Sequence, residues 1–439
     1  MIVLLSLQVF DDCEQNYPRM LQHNDSLQSS TATEKGTAQY LLCGIRGSLS
    51  QVFDIQIPNI TVPINIGVTQ IDFSLTDIKI YNLQVPELDV KLNEQNIVQL
   101  YLPNCDVDLK FQWKFQQSSY PYTTDSGSGT VVLRNGTMSG SAISEVDGVK
   151  CPGHMKVNVI KSNLEYQSLK IQLQGGQSWI FQSLIDIIME AVQVQIAGFI
   201  SSTMSAGFVK LANDVFEDGR REMNYANKKF IKDERYTDRV QIGSRFATLL
   251  FSGQTYLKEN LTDEYITNGV GGITLNKFNT DIQMAVKDEA FNNIFYMFHK
   301  YENAFSGKDF KCVKHPTLRF TNTAALVSIL VEVNETQVEI QLIAKPVVMD
   351  NISAITGKIR FDYFPYSIEL RDGIDADSLL AAVLEHMNDT SEDAAFQYNY
   401  TLMVDIRTYQ VVFDASERVM RLIGDTPEEC MPYRLSDPL

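Results

Sequence analysis

The five histidines are the side chains that most often bind zinc or act as a general base in proteins. They are scattered along the chain at His23, His154, His299, His315 and His386. None forms an HExxH helix motif, and none is paired with a cysteine at zinc-ligand spacing. The histidines therefore predict neither a metal site nor acid–base catalysis.

The motifs of nucleophilic and nucleotide chemistry are missing as well. The Ser-Gly-rich stretch at 126–129 lacks the G-x-S-x-G order of a nucleophile elbow and is typical of a hairpin loop. NGVGG at 268–272 lacks the strand–helix context of a dinucleotide fingerprint and predicts a glycine-rich turn. Carboxylates are plentiful, but the sequence does not pair them into an acid/base couple. We therefore expect no enzymatic activity and no metal.

The most apolar long stretch is SWIFQSLIDIIMEAVQVQIAGFI, residues 178–200. Asp186 and Glu190 lie in its middle, and a carboxylate at a bilayer centre costs roughly 2.5–3.5 kcal/mol. The stretch therefore predicts a helix of a folded domain and not a membrane span. Its apolar side chains fill an arc of about 200°, twice the width of an ordinary surface helix. The helix is either sandwiched in a large core or covered by a sheet on one flank and a lipid on the other.

Length and charge limit the possible classes of protein. A chain of 439 residues with 44% hydrophobic and 21% charged residues predicts a folded protein of two domains. A formal net charge of −17 argues against nucleic acid as a partner. It also argues against attraction of the whole molecule to anionic membranes or lipopolysaccharide.

Two features indicate the secretory pathway. The apolar run at 2–10 resembles the central region of a signal peptide, and its alternative interpretation is a first buried strand. N-x-S/T triplets, the acceptors of N-glycans, begin at Asn24, Asn59, Asn135, Asn260, Asn334, Asn351, Asn388 and Asn399. Asn135 is predicted at an Asn-Gly hairpin turn, and Asn334 at another hairpin tip. We therefore expect a secreted or lumenal glycoprotein, and the even number of six cysteines is compatible with this.

The hydrophobic periodicity predicts an α+β fold in which the second half repeats the plan of the first. In the first half, a helix over 36–53 precedes alternating strands between 64 and 173 and then the long helix. Charges of both signs crowd into 216–239, which predicts a domain boundary or the exposed tail of that helix. In the second half, strands alternate with a helix at 288–305, which Asp288 is expected to cap, and a helix at 374–387.

Two stretches carry a resemblance to a known family. KGTAQYLLCGIRGSLSQVFDIQIPN followed by INIGVTQIDFSLTDIKIYNLQVPELDVKL resembles the start of the family of bactericidal/permeability-increasing, lipopolysaccharide-binding and phospholipid transfer proteins. TGKIRFDYFPYSIELRDGIDADSLLAAVLEHM is similar to the late strand-then-helix segment of that family. The likeness covers about 36–215 and 240–390, and it lies in the order of elements and not in one diagnostic motif.

The resemblance implies a boomerang of two pseudo-repeated barrels, each a twisted antiparallel sheet with a long amphipathic helix, joined by a central sheet. It places a signal remnant and extension at 1–20, an N-terminal lipid-binding barrel at 21–218, a charged linker at 219–239 and a C-terminal lipid-binding barrel at 240–439. Each barrel would hold a phospholipid-like, two-chain lipid, so bound phospholipid is expected and no other cofactor. The oligomeric state is left open.

The site residues that the resemblance implies are inward apolar side chains, each of which alternatively belongs to plain core. In the first barrel they are Leu41, Ile45, Leu49, Ile66, Ile71, Phe73, Leu184, Ile187, Ile188 and Ala191. In the second barrel they are Phe291, Ile294, Phe298, Leu380 and Leu384.

The sequence departs from the family pattern at the disulfide and at the barrel tip. The long helix contains no cysteine, so Cys151 is left with Cys105 as an alternative partner, and Cys312 with Cys430. Antibacterial members place cations around a tip hairpin, whereas WKFQQSSYPYTTDSGSG offers only Lys114. Lipid binding and transport are therefore favoured over binding of lipopolysaccharide. The tip tyrosines Tyr120 and Tyr122 either meet a membrane interface or are simply exposed.

Overall fold

The computed structural model describes sixteen stretches of the chain. They are 26–39, 41–43, 58–66, 69–93, 95–118, 120, 122–147, 153–176, 182–216, 222–225, 229–259, 272–274, 277–351, 356–369, 371–399 and 409–426. The predicted signal remnant at 1–20 lies outside these residues. The described residues divide into two compact units, of which unit 1 comprises 37–144 and 157–216 and unit 2 comprises 26–36, 145–156 and 222–426.

Unit 1 is a curled antiparallel sheet accompanied by a long helix. Its strands are β2 (Ile60–Ile66), β3 (Thr69–Gln84), β4 (Asp89–Asn93), β5 (Ile97–Gln117), β6 (Thr124–Asp147) and β7 (His154–Gln174). Strand order is β2-β3-β5-β6-β7, and β4 pairs with β5 at the side. Residues 34–39 and 41–43 are helical (α1), and the long helix α2 runs over Gln182–Phe216. No helix within the described part of the chain is long and apolar enough to span a membrane.

The long strands of unit 1 bend at bulges. The pairing of β5 with β6 slips on either side of Cys105, where Asn104 and Asn135 have φ of 58° and 50°. The predicted hairpin turn at Asn135-Gly136 is therefore wrong, since β6 continues through it. Asn and Gly tolerate positive φ in a bulge as readily as in a turn, so the dipeptide alone does not separate the two.

Unit 2 contains three sheets. Its strands are β1 (Gln28–Thr33), β8 (Glu222–Tyr225), β9 (Phe230–Asp233), β10 (Gln241–Gly243), β11 (Phe246–Phe251), β12 (Thr255–Leu257), β13 (Ile282–Lys287), β14 (Lys311–Phe320), β15 (Ala325–Val333), β16 (Thr336–Asn351), β17 (Thr356–Ile368), β18 (Phe396–Asn399), β19 (Tyr409–Asp414) and β20 (Val419–Gly424). Strand orders are β10-β11-β1-β13-β20-β19, β12-β9-β8 and β14-β15-β16-β17-β18. The helices are α3 (Asp288–Glu302) and α4 (Ala376–Thr390).

These sheets and helices confirm the predicted α+β class. The hairpin at Asn334 is also confirmed, because Val333 pairs with Thr336 across a two-residue turn. Asn334 and Glu335 both have positive φ there, as a type I′ turn requires. Helix α4 begins after Asp375, whose carboxylate accepts from the Ser378 N–H at 3.3 Å.

Part of the charged stretch predicted as a linker, residues 230–236, is buried in unit 2. Lys232, Asp233 and Glu234 are at most 2% exposed. Lys232 pairs with Glu234 and donates to Gln28 Oε1 at 2.8 Å, while Arg235 donates to Asp233. Opposite charges that satisfy one another can be buried, which the charge density of the sequence does not reveal. Residues 230–236 of the predicted charged linker therefore belong to the buried part of unit 2.

The disulfide expectations are corrected as well. Cys105 and Cys312 are buried free thiols, so neither takes part in a disulfide. Cys105 Sγ lies 3.5 Å from the carbonyl oxygen of Leu102, next to the bulge. Cys43 is disulfide-bonded, and Cys151 and Cys430 lie outside the described residues.

Candidate functional site

The inner face of the unit 1 sheet is a continuous apolar surface. Alternation in β3 places Phe73 and Leu75 on this face, and the register of β3 with β5 sets Leu75 opposite Trp113. Phe73 and Trp113 stack with ring centroids 6.2 Å apart, and both are nearly inaccessible to solvent. The face continues onto β6, where Leu133 is completely buried.

Glycines on β6 make room for the large rings of β5. The register sets Gly127 opposite Trp113 and Gly129 opposite Phe111. A Cβ at Gly127 would lie 2.9 Å from Trp113 Nε1, and one at Gly129 would overlap the Phe111 ring. Trp113 Nε1 donates to the Ser128 carbonyl at 3.0 Å, which satisfies its buried N–H. The Ser-Gly-rich stretch is therefore part of a strand and packs the core.

Strand β7 continues the inner apolar face of the sheet, but its inner side chains are more accessible to solvent than those of β3, β5 and β6. A Cβ at Gly136 would lie 2.6 Å from Leu133 Cδ2 and 3.6 Å from Leu164 Cδ1, so Leu164 is on the same side as Leu133. The intervening side chains of β7 are polar and exposed, which marks the outer side. The inner apolar side chains Leu164, Tyr166, Ile171 and Leu173 are only half-buried. Solvent therefore reaches the inner side of the sheet along β7, beside rows that are fully buried.

Helix α2 runs antiparallel to β7. Asn213 hydrogen bonds with Val157, and Gln193 Nε2 donates to the Leu169 carbonyl at 3.4 Å. The twenty helical residues between these points span about 30 Å, and the twelve strand residues span about 40 Å. The two lengths are comparable, so helix and strand accompany each other along the half-covered row.

The described part of α2 has exposed apolar side chains in addition to those on its buried face. Ile196 and Ile200 are buried, whereas Val194 is 68% exposed and Gly198 has no neighbouring atom within 4 Å of an ideal Cβ. On β7, Val159 and Ile160 are exposed by 40% and 54%. Exposed large apolar side chains on both elements indicate that protein alone does not cover this region.

Unit 2 has a different interior, because its own aromatic side chains fill it. Phe291 of α3 contacts Phe361 and Phe396 with ring centroids 5.0 and 5.2 Å apart. Phe298 stacks on Phe230 at 5.0 Å. Phe291, Ile294 and Phe298 are at most 2% exposed without any ligand. This face of α3 is protein core and offers no surface to a lipid, contrary to the predicted second pocket.

A family comparison can now be added to this geometry. Residues 44–211 match the sequence model of the LBP / BPI / CETP family, N-terminal domain. This part of the chain is therefore similar in sequence to the N-terminal domain of that family. The match contains the strands of unit 1 from β2 to β7 and most of α2. A comparison with curated proteins finds no match.

Solved structures extend the likeness of fold to the whole chain. A crystal structure of lipopolysaccharide binding protein is similar, with TM-score 0.55 and 12% identity over 92% of this chain and 99% of that one. Takeout 1 of Epiphyas postvittana has TM-score 0.26 and 9% identity over 39% of this chain and 90% of that one. P47 of Clostridium botulinum E1 has TM-score 0.27 and 10% identity over 92% and 99%.

The structure places several of the predicted site residues. Ile71 and Phe73 are buried on the inner face of β3, and Leu41 is half-buried in α1. The remaining predictions for unit 1 fall on undescribed residues or undescribed side chains, namely Ile45, Leu49, Ile66, Leu184, Ile187, Ile188 and Ala191. In unit 2, Leu380 and Leu384 are half-buried on α4 and pack against the core.

The sequence did not single out the inner row of β7. The alternation over 157–173 predicts a strand, but it does not tell that this strand lies at the end of the order β2-β3-β5-β6-β7. Side chains at such a position have strand neighbours on one side only within the described sheet. The half-buried state of Leu164 and Ile171 follows from that topology and not from their residue types.

Asp108 is a buried carboxylate of unit 1 that pairs with Arg134. Burial alone would raise the pKa of Asp108, but hydrogen bonds from Arg134 and Asn82 lower it below its usual value. Asn82 Nδ2 lies 2.9 Å from Asp108 Oδ2. No group of three or more His, Cys, Asp or Glu side chains suited to a metal occurs among the described residues.

The loop between β5 and β6 ends in two tyrosines. Tyr120 is 85% and Tyr122 is 66% exposed, and their rings meet edge to face with centroids 6.4 Å apart. Tyr122 has φ of 54°, an uncommon conformation for a bulky residue. The run from 115 to 124 contains no charged residue. The tip is therefore aromatic and uncharged.

Proposed function

We propose that the protein binds lipid on the inner side of unit 1, along β7 and α2, and carries it between membranes. The observation that supports this most is the half-covered apolar row of Leu164, Tyr166, Ile171 and Leu173 beside a fully buried inner face. Water against such side chains is unfavourable, and each lipid methylene buried there stabilises the complex by about 0.8 kcal/mol. The match of residues 44–211 to the N-terminal domain model of the LBP / BPI / CETP family supports the same function.

Two readouts test this proposal. Native mass spectrometry of protein purified without detergent is expected to show added mass, which extraction should identify as lipid. Transfer of fluorescent phospholipid between vesicles is expected to accelerate when the protein is added. Protein that carries no lipid and accepts none would contradict the proposal. Lipid that is carried but never transferred would instead indicate a surface glycoprotein with passively bound lipid.

Lipopolysaccharide binding is the alternative suggested by the similar solved structure. Recognition of its phosphates favours arginine or lysine clusters. The tip loop contains no cation between 115 and 124, and the net charge of the chain is −17. Phospholipid carriage is therefore the better proposal. Saturable, salt-sensitive binding of lipopolysaccharide at the tip would reverse this preference.

We also propose that the protein is secreted and glycosylated. Among the predicted acceptors, Asn59, Asn135, Asn334 and Asn388 are exposed. Asn260 lies outside the described residues, and the side chains of Asn351 and Asn399 are not described. Expression in a eukaryotic secretory host followed by enzymatic deglycosylation should lower the apparent mass. Retention inside the cell without glycans would refute this proposal.

A further inference from the structure

The half-covered row of β7 contains hydroxyl groups as well as hydrocarbon. Over residues 162–168, half-buried and exposed side chains alternate regularly, and this alternation places Ser162, Tyr166 and Ser168 on the same inner side as Leu164. Gln167, between the last two, accepts from Asn135 Nδ2 at 3.1 Å on the outer side. All three hydroxyl-bearing residues are half-buried.

Among the described residues, these hydroxyls have no hydrogen-bond partner. No side-chain hydrogen bond, ion pair or ring contact in this part of the chain involves Ser162, Tyr166 or Ser168. Water can satisfy the hydroxyls because the row is accessible to solvent. A plain hydrocarbon chain that displaced this water would leave them unpaired, which is unfavourable. The row therefore favours a ligand that brings hydrogen-bond acceptors with its apolar chains.

The row also restricts the charge of that ligand. The charged side chains of β7, Lys156, Lys161, Glu165 and Lys170, are all exposed. No cation of β7 is thus available on the inner side to pair with a buried phosphate or carboxylate. Uncharged acceptors, such as ester carbonyl oxygens, match hydroxyl donors without requiring a counter-ion.

We infer that the inner hydroxyls of β7 hold the ester linkages of a glycerolipid, with Tyr166 and Ser168 as the donors. Alternate side chains on one strand face lie about 7 Å apart, so two donors can serve ester carbonyls on neighbouring glycerol carbons. The exposure pattern shifts by one residue between Ser168 and Leu169, as it does at a β-bulge, so that Leu169, Ile171 and Leu173 are the covered side chains beyond this point. They continue the apolar surface on which the acyl chains lie. This inference rests on the proposed lipid binding and names the chemistry that the site selects.

A comparison of ester with ether lipids tests the inference directly. Dioleoyl phosphatidylcholine and its dialkyl ether analogue share head group and chain length but differ in the carbonyl oxygens. Each is used to displace a bound fluorescent ether lipid from the full-length protein. We expect the ester lipid to bind roughly fivefold more tightly, the effect of about one net hydrogen bond. A second pair, dioleoylglycerol and dialkylglycerol, distinguishes a phospholipid from a neutral glycerolipid as the source of the esters.

The variants Tyr166→Phe and Ser168→Ala assign the preference to this row. The double variant should bind ester and ether lipids equally, because it removes both the hydrogen bonds to the ester and the penalty of unpaired hydroxyls beneath the ether lipid. Tyr101→Phe, at an exposed tyrosine of β5, is the matched control and should retain the preference. Equal binding of both lipids by the wild type, or a preference that survives in the double variant, would overturn the inference alone. Failure of both lipids to bind would overturn the proposed function and this inference with it.

Discussion

Asn213, near the end of α2, forms a pair of hydrogen bonds with the backbone of Val157 at the start of β7. The Val157 N–H donates to Asn213 Oδ1 at 2.7 Å, and Asn213 Nδ2 donates to the Val157 carbonyl at 3.2 Å. One side chain thereby satisfies the donor and the acceptor of one strand residue. It fixes the last turns of the helix beside the proposed lipid site.

Replacing Asn213 by Leu should loosen this junction. The variant leaves the backbone groups of Val157 without their partner, which is expected to destabilise unit 1 by about 1–3 kcal/mol. Hydrogen exchange should rise around residues 205–216, and bound lipid should be released faster. The control Asn163→Ala removes an exposed asparagine of β7 that bonds only to Glu165, at 3.2 Å. Equal hydrogen exchange around residues 205–216 in both variants would show that the hydrogen bonds of Asn213 do not fix α2 to β7.

Substitutions that add or remove side-chain volume should distinguish the roles of the two units. Leu164→Trp adds bulk on the half-covered row of unit 1 and is expected to lower the lipid content sharply at little cost in stability. Phe291→Ala empties a filled core in unit 2 and is expected to cost about 3–5 kcal/mol. Its lipid content should not change. Mass spectrometry measures the lipid content of each variant, and urea unfolding measures its stability. Loss of lipid from Phe291→Ala would contradict the assignment of the lipid site to unit 1.

The sequence predicted what depends on local pattern. Alternation identified the strands that carry Phe73 and Leu109, and the narrow polar strip identified α2 as a helix that is not a membrane span. The Asn334-Glu335 turn was predicted as well, because a two-residue loop between alternating strands leaves few geometries.

Features set by three-dimensional neighbours were not predictable in this way. Phe291 and Leu164 are both apolar residues on apolar faces, and only the surrounding packing makes one core and the other half-exposed. The burial of Lys232 depends on Glu234, Gln28 and Gln397, of which two are far away in sequence. Core and ligand site share one residue composition, so composition cannot separate them.

A buried carboxyl at the start of α3 should give unit 2 an unusual pH dependence. Asp288, expected as the N-cap, is instead the first helical residue, and its Oδ2 accepts from Arg418 Nε at 2.9 Å. Burial raises the pKa of Asp288 to about 6, although the ion pair with Arg418 opposes this. The neighbouring Glu289 accepts from the same guanidinium at 2.6 Å. The Arg418 guanidinium therefore forms ion pairs with two carboxyl groups at the start of α3.

The sign of the effect follows from the direction of the shift. The folded pKa lies above the ordinary value of 3.8 in the unfolded chain, so the folded state binds the proton more tightly. The contribution to stability is full below about pH 4 and is lost as pH rises through 6. Relative to Asp288→Asn, the wild type should therefore lose up to about 3 kcal/mol between pH 4 and 8.

Urea unfolding of the wild type and Asp288→Asn at several pH values measures this difference. Asp375→Asn is a control of opposite sign, because hydrogen bonds from Ser378 lower the pKa of Asp375. Its contribution is present at neutral pH and is lost as pH falls. Parallel stability curves for the wild type and Asp288→Asn would refute the buried-carboxyl explanation.

The tip tyrosines should attach the protein to uncharged membranes. Tyrosine prefers the membrane interface because its ring is apolar and its hydroxyl remains hydrated. The double variant Tyr120→Ser/Tyr122→Ser is expected to weaken binding to phosphatidylcholine vesicles about thirtyfold, because each ring contributes roughly 1 kcal/mol. Sedimentation of protein with vesicles measures this. Tyr101→Ser, which removes a tyrosine exposed on β5, should bind as the wild type does.

Salt dependence distinguishes this contact from recognition by charge. With no charged residue from 115 to 124, vesicle binding through the tip should change little between low and physiological salt. Transfer of fluorescent phospholipid should slow in the double variant in parallel with the loss of vesicle binding. The amount of lipid carried at equilibrium should stay the same, because the rings lie outside the inner row of β7. Normal transfer by a variant that no longer binds vesicles would place the membrane contact elsewhere on the molecule.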